Sequence, residues 1–345
     1  MEKIHFSQIE SPKDEKLFGL LPDGKQVFCY TLENQNGFEF SVINYGATIT
    51  SIRLPIKSNK KIDVVLGFDT LDDYINSYYL PSPPYFGTII GRFAGRISNA
   101  EFMLNGKQNF LNKNHGEHNL HGGILGFGRK LWRVIETASA SITFEYVSPN
   151  NEENFPGELT VRVTYTLTEE NELKVDYTAK SDEDTIINLT QHSYFNLNGH
   201  EDDITSQKLQ IKSTNVLETT NDLIPTGELA PLKGHEFDFY NPKLCPTSID
   251  DTFVLEDTNA AVLFSEKNKI KMSVITNQPA VHVYVGGNCF NQIKGKENVN
   301  YHSKSGICFE TQNFPDAPNH PHFPNTILKK GEEYFHNTTF RFENI

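Results

Sequence analysis

Between Thr160 and Thr168 apolar and polar positions alternate strictly, with Val161, Val163, Tyr165 and Leu167 on one parity and Thr160, Arg162, Thr164, Thr166 and Thr168 on the other. Successive side chains of an extended chain point to opposite faces, so the pattern predicts a strand with one buried and one wet face. The polar run Glu169 to Glu172 breaks the alternation. Leu173, Val175, Tyr177 and Ala179 then alternate with Lys174, Asp176, Thr178 and Lys180, which predicts the return arm of a hairpin. Shorter alternations at Phe38, Phe40 and Val42, at Ile142, Phe144 and Tyr146, at Val281, Val283 and Val285, and at Phe340 and Phe342 spread strands along the whole chain. Only Leu71 to Ile75 reads as a short helix.

Many strands without alternating helices predict an all-β architecture, a large antiparallel β-sandwich, and not a parallel α/β sheet. No Gly/Ser linker, block of like charge or internal repeat divides the 345 residues, so one domain over residues 1–345 is expected. Proline-rich stretches at Leu80 to Pro84 and Phe314 to Pro324 are surface loops, suited either to the rim of a cleft or to plain connection.

Composition narrows the partners. With 37% hydrophobic and 12% aromatic residues there is material for a packed core. A formal net charge of -13 disfavours nucleic acid, whose phosphates attract Lys and Arg. The start MEKIHFSQIE lacks the apolar run of a secretion signal, and no apolar stretch reaches the ~20 residues of a membrane span. A cytoplasmic protein without a membrane partner is expected. Cys29, Cys245, Cys289 and Cys308 are scattered, with no C-x-x-C pair, which suits free thiols.

Two segments concentrate chemistry. Gln191 to Gly199, QHSYFNLNG, follows the apolar Ile186, Ile187 and Leu189 and places His192 in a dense polar strand end; a hydrogen-bonded structural histidine is the alternative reading. Glu310 follows Ile307, Cys308 and Phe309 directly, in an apolar strand. A carboxylate there is costly unless paired, hydrogen-bonded or catalytic, and an ion pair is the rival to a catalytic role. His115, His118 and His121 are spaced by three, but Gly116, Gly122 and Gly123 make this a loop with no zinc motif, so no metal is expected. GGILGFGRK matches neither phosphate-binding glycine pattern and reads as a tight turn, and Ser193 lies in no nucleophile elbow.

Together NYGATI, DVVLGF, YFGTIIGRFAGRI, NLHGG, PGEL, NLTQHSYFNL, IPTGEL, NQPA and ETQNFPDA resemble, in order, the motifs of the aldose 1-epimerase (galactose mutarotase) family, from about Asn44 to the C-terminus. The first forty residues and Leu255 to Ile275 are the least alike. The resemblance implies a galactose mutarotase-like supersandwich, a small-molecule sugar substrate such as galactose or glucose, no cofactor, and a monomer or homodimer. It implies Glu310 as base and His192 as acid, with Arg96, His121, Tyr194, Asp250 and Gln278 as hydroxyl-binding groups. Gly95 stands where many relatives carry Asn, so one substrate contact is either absent or supplied by another group. Asp250 has a turn as its alternative reading and Arg96 a buried ion pair.

An acid and a base suffice for anomer exchange: one proton leaves the C1 hydroxyl, another reaches the ring oxygen, and rotation about C1–C2 precedes closure. Alternatives are an epimerase for a disaccharide reducing end or a hexose phosphate, and a carbohydrate-binding or sugar-sensing module without catalysis.

Overall fold

The computed structural model describes residues 15–56, 60–287 and 293–345. The N-terminal decapeptide and Cys289 lie outside the described residues. Among those described, the architecture is built from antiparallel strands with one short α-helix, Leu71–Ser77, which is capped by Thr70 accepting the Asp73 N–H. No helix among the described residues is long and apolar enough to cross a membrane.

The predicted hairpin is the centre of a nine-stranded sheet. Leu159–Leu167 pairs with Glu172–Ser181 over nine registered positions, and the second arm pairs with the long C-terminal strand Glu333–Asn344. The alternating pattern fixes which face is dry. Val161, Val163 and Tyr165 are fully buried, while Arg162 and Lys180 face water. A shift of one residue in register would exchange those faces, so burial holds the pairing in place.

A five-stranded sheet from residues 15–63 and a six-stranded sheet pack on the same core. Ring contacts show where they meet. Phe40 lies 5.3 Å from Tyr165 and Phe38 5.4 Å from Phe342, joining the five-stranded to the nine-stranded sheet. Phe195 lies 4.9 Å from Phe340, joining the six-stranded to the nine-stranded one. Each fully buried aliphatic or aromatic side chain contributes ~1.5–3 kcal/mol, so this shared core dominates the folding free energy.

The six-stranded sheet runs in the order Tyr194–Phe195, Ile307–Gln312, Ala280–Val285, Ile249–Val254, Asn215–Thr219 and Pro225–Pro231. Its apolar parity, including Val281, Val283, Val285, Ile307 and Phe309, enters the core. Strand geometry sends the other parity the opposite way. Register places Tyr194 opposite Cys308, Glu310 opposite His282, His282 opposite Thr252, and Tyr284 opposite Asp250. One face of a sheet whose other face is core therefore carries a row of polar and titratable groups. Asp250 lies inside the strand Ile249–Val254, which overturns the turn reading: the pairing of Asp250 with Tyr284 is part of the ladder.

Cys29 is half-buried and Cys245 and Cys308 are buried, and Cys29 and Cys245 are free thiols.

Candidate active site

The polar face of the six-stranded sheet forms the floor of a cavity of about 330 Å³, a size within the ordinary range for a small-molecule site. Arg96, His121, His192, Asp250, His282, Glu310 and Gln312 line it, together with Tyr85 and Tyr284. Both proline-rich stretches reach its rim: Pro81, Ser82 and Pro83 from the first, and Pro315 from the second. The connector reading of these loops gives way to the rim reading.

His192 and Glu310 come from neighbouring parts of the sheet and meet inside the cavity. His192 is held by its backbone, donating to the Thr88 carbonyl and accepting from the Gly87 N–H. Its Nε2 lies 3.4 Å from Glu310 Oε1, with the side chains only 4% and 2% exposed, and its Nδ1 lies 3.5 Å from Cys308 Sγ. Burial pushes the His192 pKa below its ordinary value, and the Glu310 carboxylate opposes that fall by favouring imidazolium. Glu310 Oε2 has no hydrogen-bond partner among the described residues. A carboxylate oxygen buried in that state is available to accept a proton-bearing ligand group.

Tyr85 and His121 pack around His192. Ring centroids lie 5.7 Å apart for Tyr85 and His192, 5.5 Å for His121 and His192, and 5.1 Å for Tyr85 and His121. Burial and the nearby His192 and Arg96 hold His121 well below the ordinary imidazole range, so it is neutral. Its Nδ1 accepts the Gly95 N–H at 3.2 Å, and its own N–H donates to the Gly95 carbonyl at 3.1 Å. In a neutral ring with Nδ1 accepting, the proton sits on Nε2. His121 is thereby fixed as a donor.

That tautomer also bears on metals. Donor atoms of His121, His192 and Glu310 lie within 4.8 Å of one another, a grouping distinct from the His115, His118 and His121 run. A metal needs an imidazole lone pair. The one on His121 Nδ1 is engaged by Gly95, and Nε2 carries the proton, so the ring is set to donate to a hydroxyl and not to ligate an ion. Within the sequence run His115 and His121 both line the cavity, while His118 Nδ1 is engaged elsewhere, accepting from the Asn99 N–H.

Asp250 holds a third cluster. Its Oδ1 lies 2.9 Å from His282 Nε2 and its Oδ2 3.7 Å from Arg96 Nη2. His282 Nδ1 lies 2.8 Å from Thr252 Oγ1. Burial opposes the charge on both partners, but their hydrogen bond and mutual attraction win, lowering the Asp250 pKa and raising that of His282. The result is an Arg96–Asp250–His282 ion array along one wall. Arg96 is thus in an ion pair and also lines the cleft, with its Nε unpaired among the described residues.

Two expected hydroxyl-binding residues are placed differently. Gln278 is outside the cavity lining: it sits in the turn between Ile270–Thr276 and Ala280–Val285, its N–H bonded to Thr276 Oγ1 and its amide to Asn277. The strand enters the cleft floor only further on, at His282. Tyr194 is 1% exposed and packs against His192, 5.3 Å from its ring and 5.0 Å from Phe86, so it supports that imidazole from outside the cavity lining. Gly95 lines the cleft through its backbone, which orients His121.

Sequence reasoning did not single out His282, Tyr284, Thr252 or Tyr85. A signal for the first two existed: the parity of Val281, Val283 and Val285 leaves His282 and Tyr284 on the opposite face of a strand that has one face in the core.

The chain matches the family model for aldose 1-epimerase over residues 29–341, beginning earlier than the Asn44 at which its recognisable motifs start. It is 39% identical to the galactose mutarotase of Sus scrofa, over 94% of this chain and 97% of that protein. It is 30% identical to the aldose 1-epimerase of Escherichia coli, again covering 94% and 97%. Among solved structures it resembles an aldose epimerase homologue from C. elegans, with a TM-score of 0.85 and 29% identity over 91% of this chain and 98% of that one. A galactose 1-epimerase from Lactobacillus acidophilus superposes with a TM-score of 0.82 and 26% identity over 96% and 98%. A family model spanning nearly the whole chain, and relatives covered almost end to end, establish that this chain belongs to the aldose 1-epimerase family.

Proposed function

We propose that this protein interconverts the α and β anomers of a free hexose such as galactose or glucose, with Glu310 as base and His192 as acid. The observation that carries the reading is the 3.4 Å separation of His192 Nε2 and Glu310 Oε1 inside a polar cavity. The two sugar oxygens that exchange protons, the C1 hydroxyl and the ring oxygen, are bonded to the same carbon. An acid and a base that act on them must therefore be near neighbours, and these two are.

Glu310 takes the proton of the C1 hydroxyl as the C1 to ring-oxygen bond breaks and C1 becomes a carbonyl. Protonated His192 gives its proton to the departing ring oxygen. The open aldehyde turns about C1–C2, and the ring hydroxyl attacks the opposite carbonyl face. His192 recovers its proton and Glu310 returns the other one to the new C1 hydroxyl, so the enzyme ends as it began. Each positioned group supplies ~10²- to 10⁴-fold, and holding the sugar in place adds to that.

The remaining wall binds the unreactive hydroxyls. His121 donates through Nε2, and the Arg96–Asp250–His282 array presents donors and an acceptor in fixed geometry. The free thiols of Cys29 and Cys245 suit a reducing compartment such as the cytoplasm, which supports a cytoplasmic location. Polarimetry of freshly dissolved α-galactose and α-glucose with the purified protein tests the proposal. Accelerated approach to the equilibrium rotation supports it, whereas binding without acceleration would make the chain a sugar-binding module.

A further inference from the structure

Gln312 lies two residues beyond Glu310 on the strand Ile307–Gln312, so its side chain leaves the sheet on the same face as the base. It is 1% exposed and lines the cavity, yet neither its Nε2 nor its Oε1 meets a hydrogen-bond partner among the described residues. Both ends of a buried amide left unpaired are rare in folded proteins, and such groups gather where a ligand completes them.

The surroundings point the same way. Gly95 has φ +79°, and a Cβ built there would lie 2.9 Å from Pro315 Cβ and 3.4 Å from Gln312 Nε2. No side chain at position 95 fits between these groups without displacing them, so the amide occupies this part of the wall. Two other cavity-lining groups have buried atoms in the same condition: Arg96 Nε and Glu310 Oε2. A neutral carboxamide supplies one donor end and one acceptor end, which together satisfy a hydroxyl in either of its roles.

We propose that Gln312 is a specificity-determining residue that binds one non-reacting hydroxyl of the sugar, donating through Nε2 or accepting through Oε1. This rests on the mutarotase reading of the cavity. Removing the amide leaves that hydroxyl without its partner, and removing the hydroxyl leaves the amide without its own, so the two losses are one and the same.

The test measures kcat and KM for galactose and for its 2-, 3-, 4- and 6-deoxy analogues with the wild-type protein and with Gln312→Met, whose length is similar. For galactose the variant loses about tenfold or more in kcat/KM, mainly through KM. For one deoxy sugar the wild type already shows that loss and the variant adds none. An equal loss on every sugar, or no loss on galactose, overturns the proposal. Circular dichroism reports whether Gln312→Met folds. If it does not, Gln312→Glu, of equal size, is run against the same series and judged by the same pattern. Wild-type turnover of galactose checks the mutarotase reading separately, and if that fails, calorimetric binding of the same sugars still reads the role of Gln312.

Discussion

His282 Nε2 lies 2.9 Å from Asp250 Oδ1, and the same imidazole reaches Thr252 Oγ1 through Nδ1 at 2.8 Å. Asp250 is thereby pinned between the His282 imidazole and the Arg96 guanidinium, with little freedom to turn away from the cavity. His282→Leu removes one of those two clamps. The expected result is a rise of about tenfold in KM for galactose with a smaller change in kcat, because a binding group loses its orientation while the acid and base stay in place. Steady-state polarimetry over a range of sugar concentrations checks the split.

The state of His192 follows from two opposed effects. Burial lowers its pKa below the ordinary value, and the Glu310 carboxylate pulls it upward. Glu310→Gln removes the upward pull. The His192 midpoint in an NMR titration should therefore lie below the free-imidazole value in the wild type and fall further in the variant. A midpoint that rises in Glu310→Gln would contradict the pairing.

His336 gives a stability prediction away from the cleft. It is fully buried, stacked on Tyr177 at 4.4 Å, and burial lowers its pKa from 6.5 to about 3. The unfolded chain takes up a proton near the ordinary value while the folded chain does not, so folding loses stability as pH falls below that value. The loss is about 2 kcal/mol between roughly pH 7 and pH 5 from this residue alone. His336→Phe keeps the stacked ring and should flatten that part of the profile in urea denaturation at several pH values.

Much of this molecule was readable from its residues because strands with one buried face write their pairing into alternation. Val161, Val163 and Tyr165 predicted their own burial, and the same rule separates Val281 and Val283 from His282. The proposed acid and base stood out in the sequence for a different reason: Glu310 interrupts an apolar strand, and His192 lies in a dense polar segment. Gln278 and Tyr194 show the limit. Which residues enter a cavity depends on where a turn ends and the ladder begins, and the local pattern of NQPA does not reveal that the strand reaches the floor only at His282. At Asp250 only the alternative turn reading fails, since Asp next to Asp favours turns locally while cross-strand pairing with Tyr284 decides the outcome, and Asp250 lines the cavity as expected.

A buried ion pair at Arg96 was one of two readings, but its partners and the orientation of His121 were not legible. Both depend on contacts far apart in sequence, such as Gly95 with His121 and Asp250 with Arg96.

The most direct test of the central claim is the rate at which α-galactose reaches its equilibrium rotation with wild-type protein and with Glu310→Gln at equal concentration. Wild type should accelerate the exchange and Glu310→Gln, still folded by circular dichroism, should lose at least ~10²-fold of that rate. Wild-type-like turnover in the variant would contradict the assignment of Glu310 as the base.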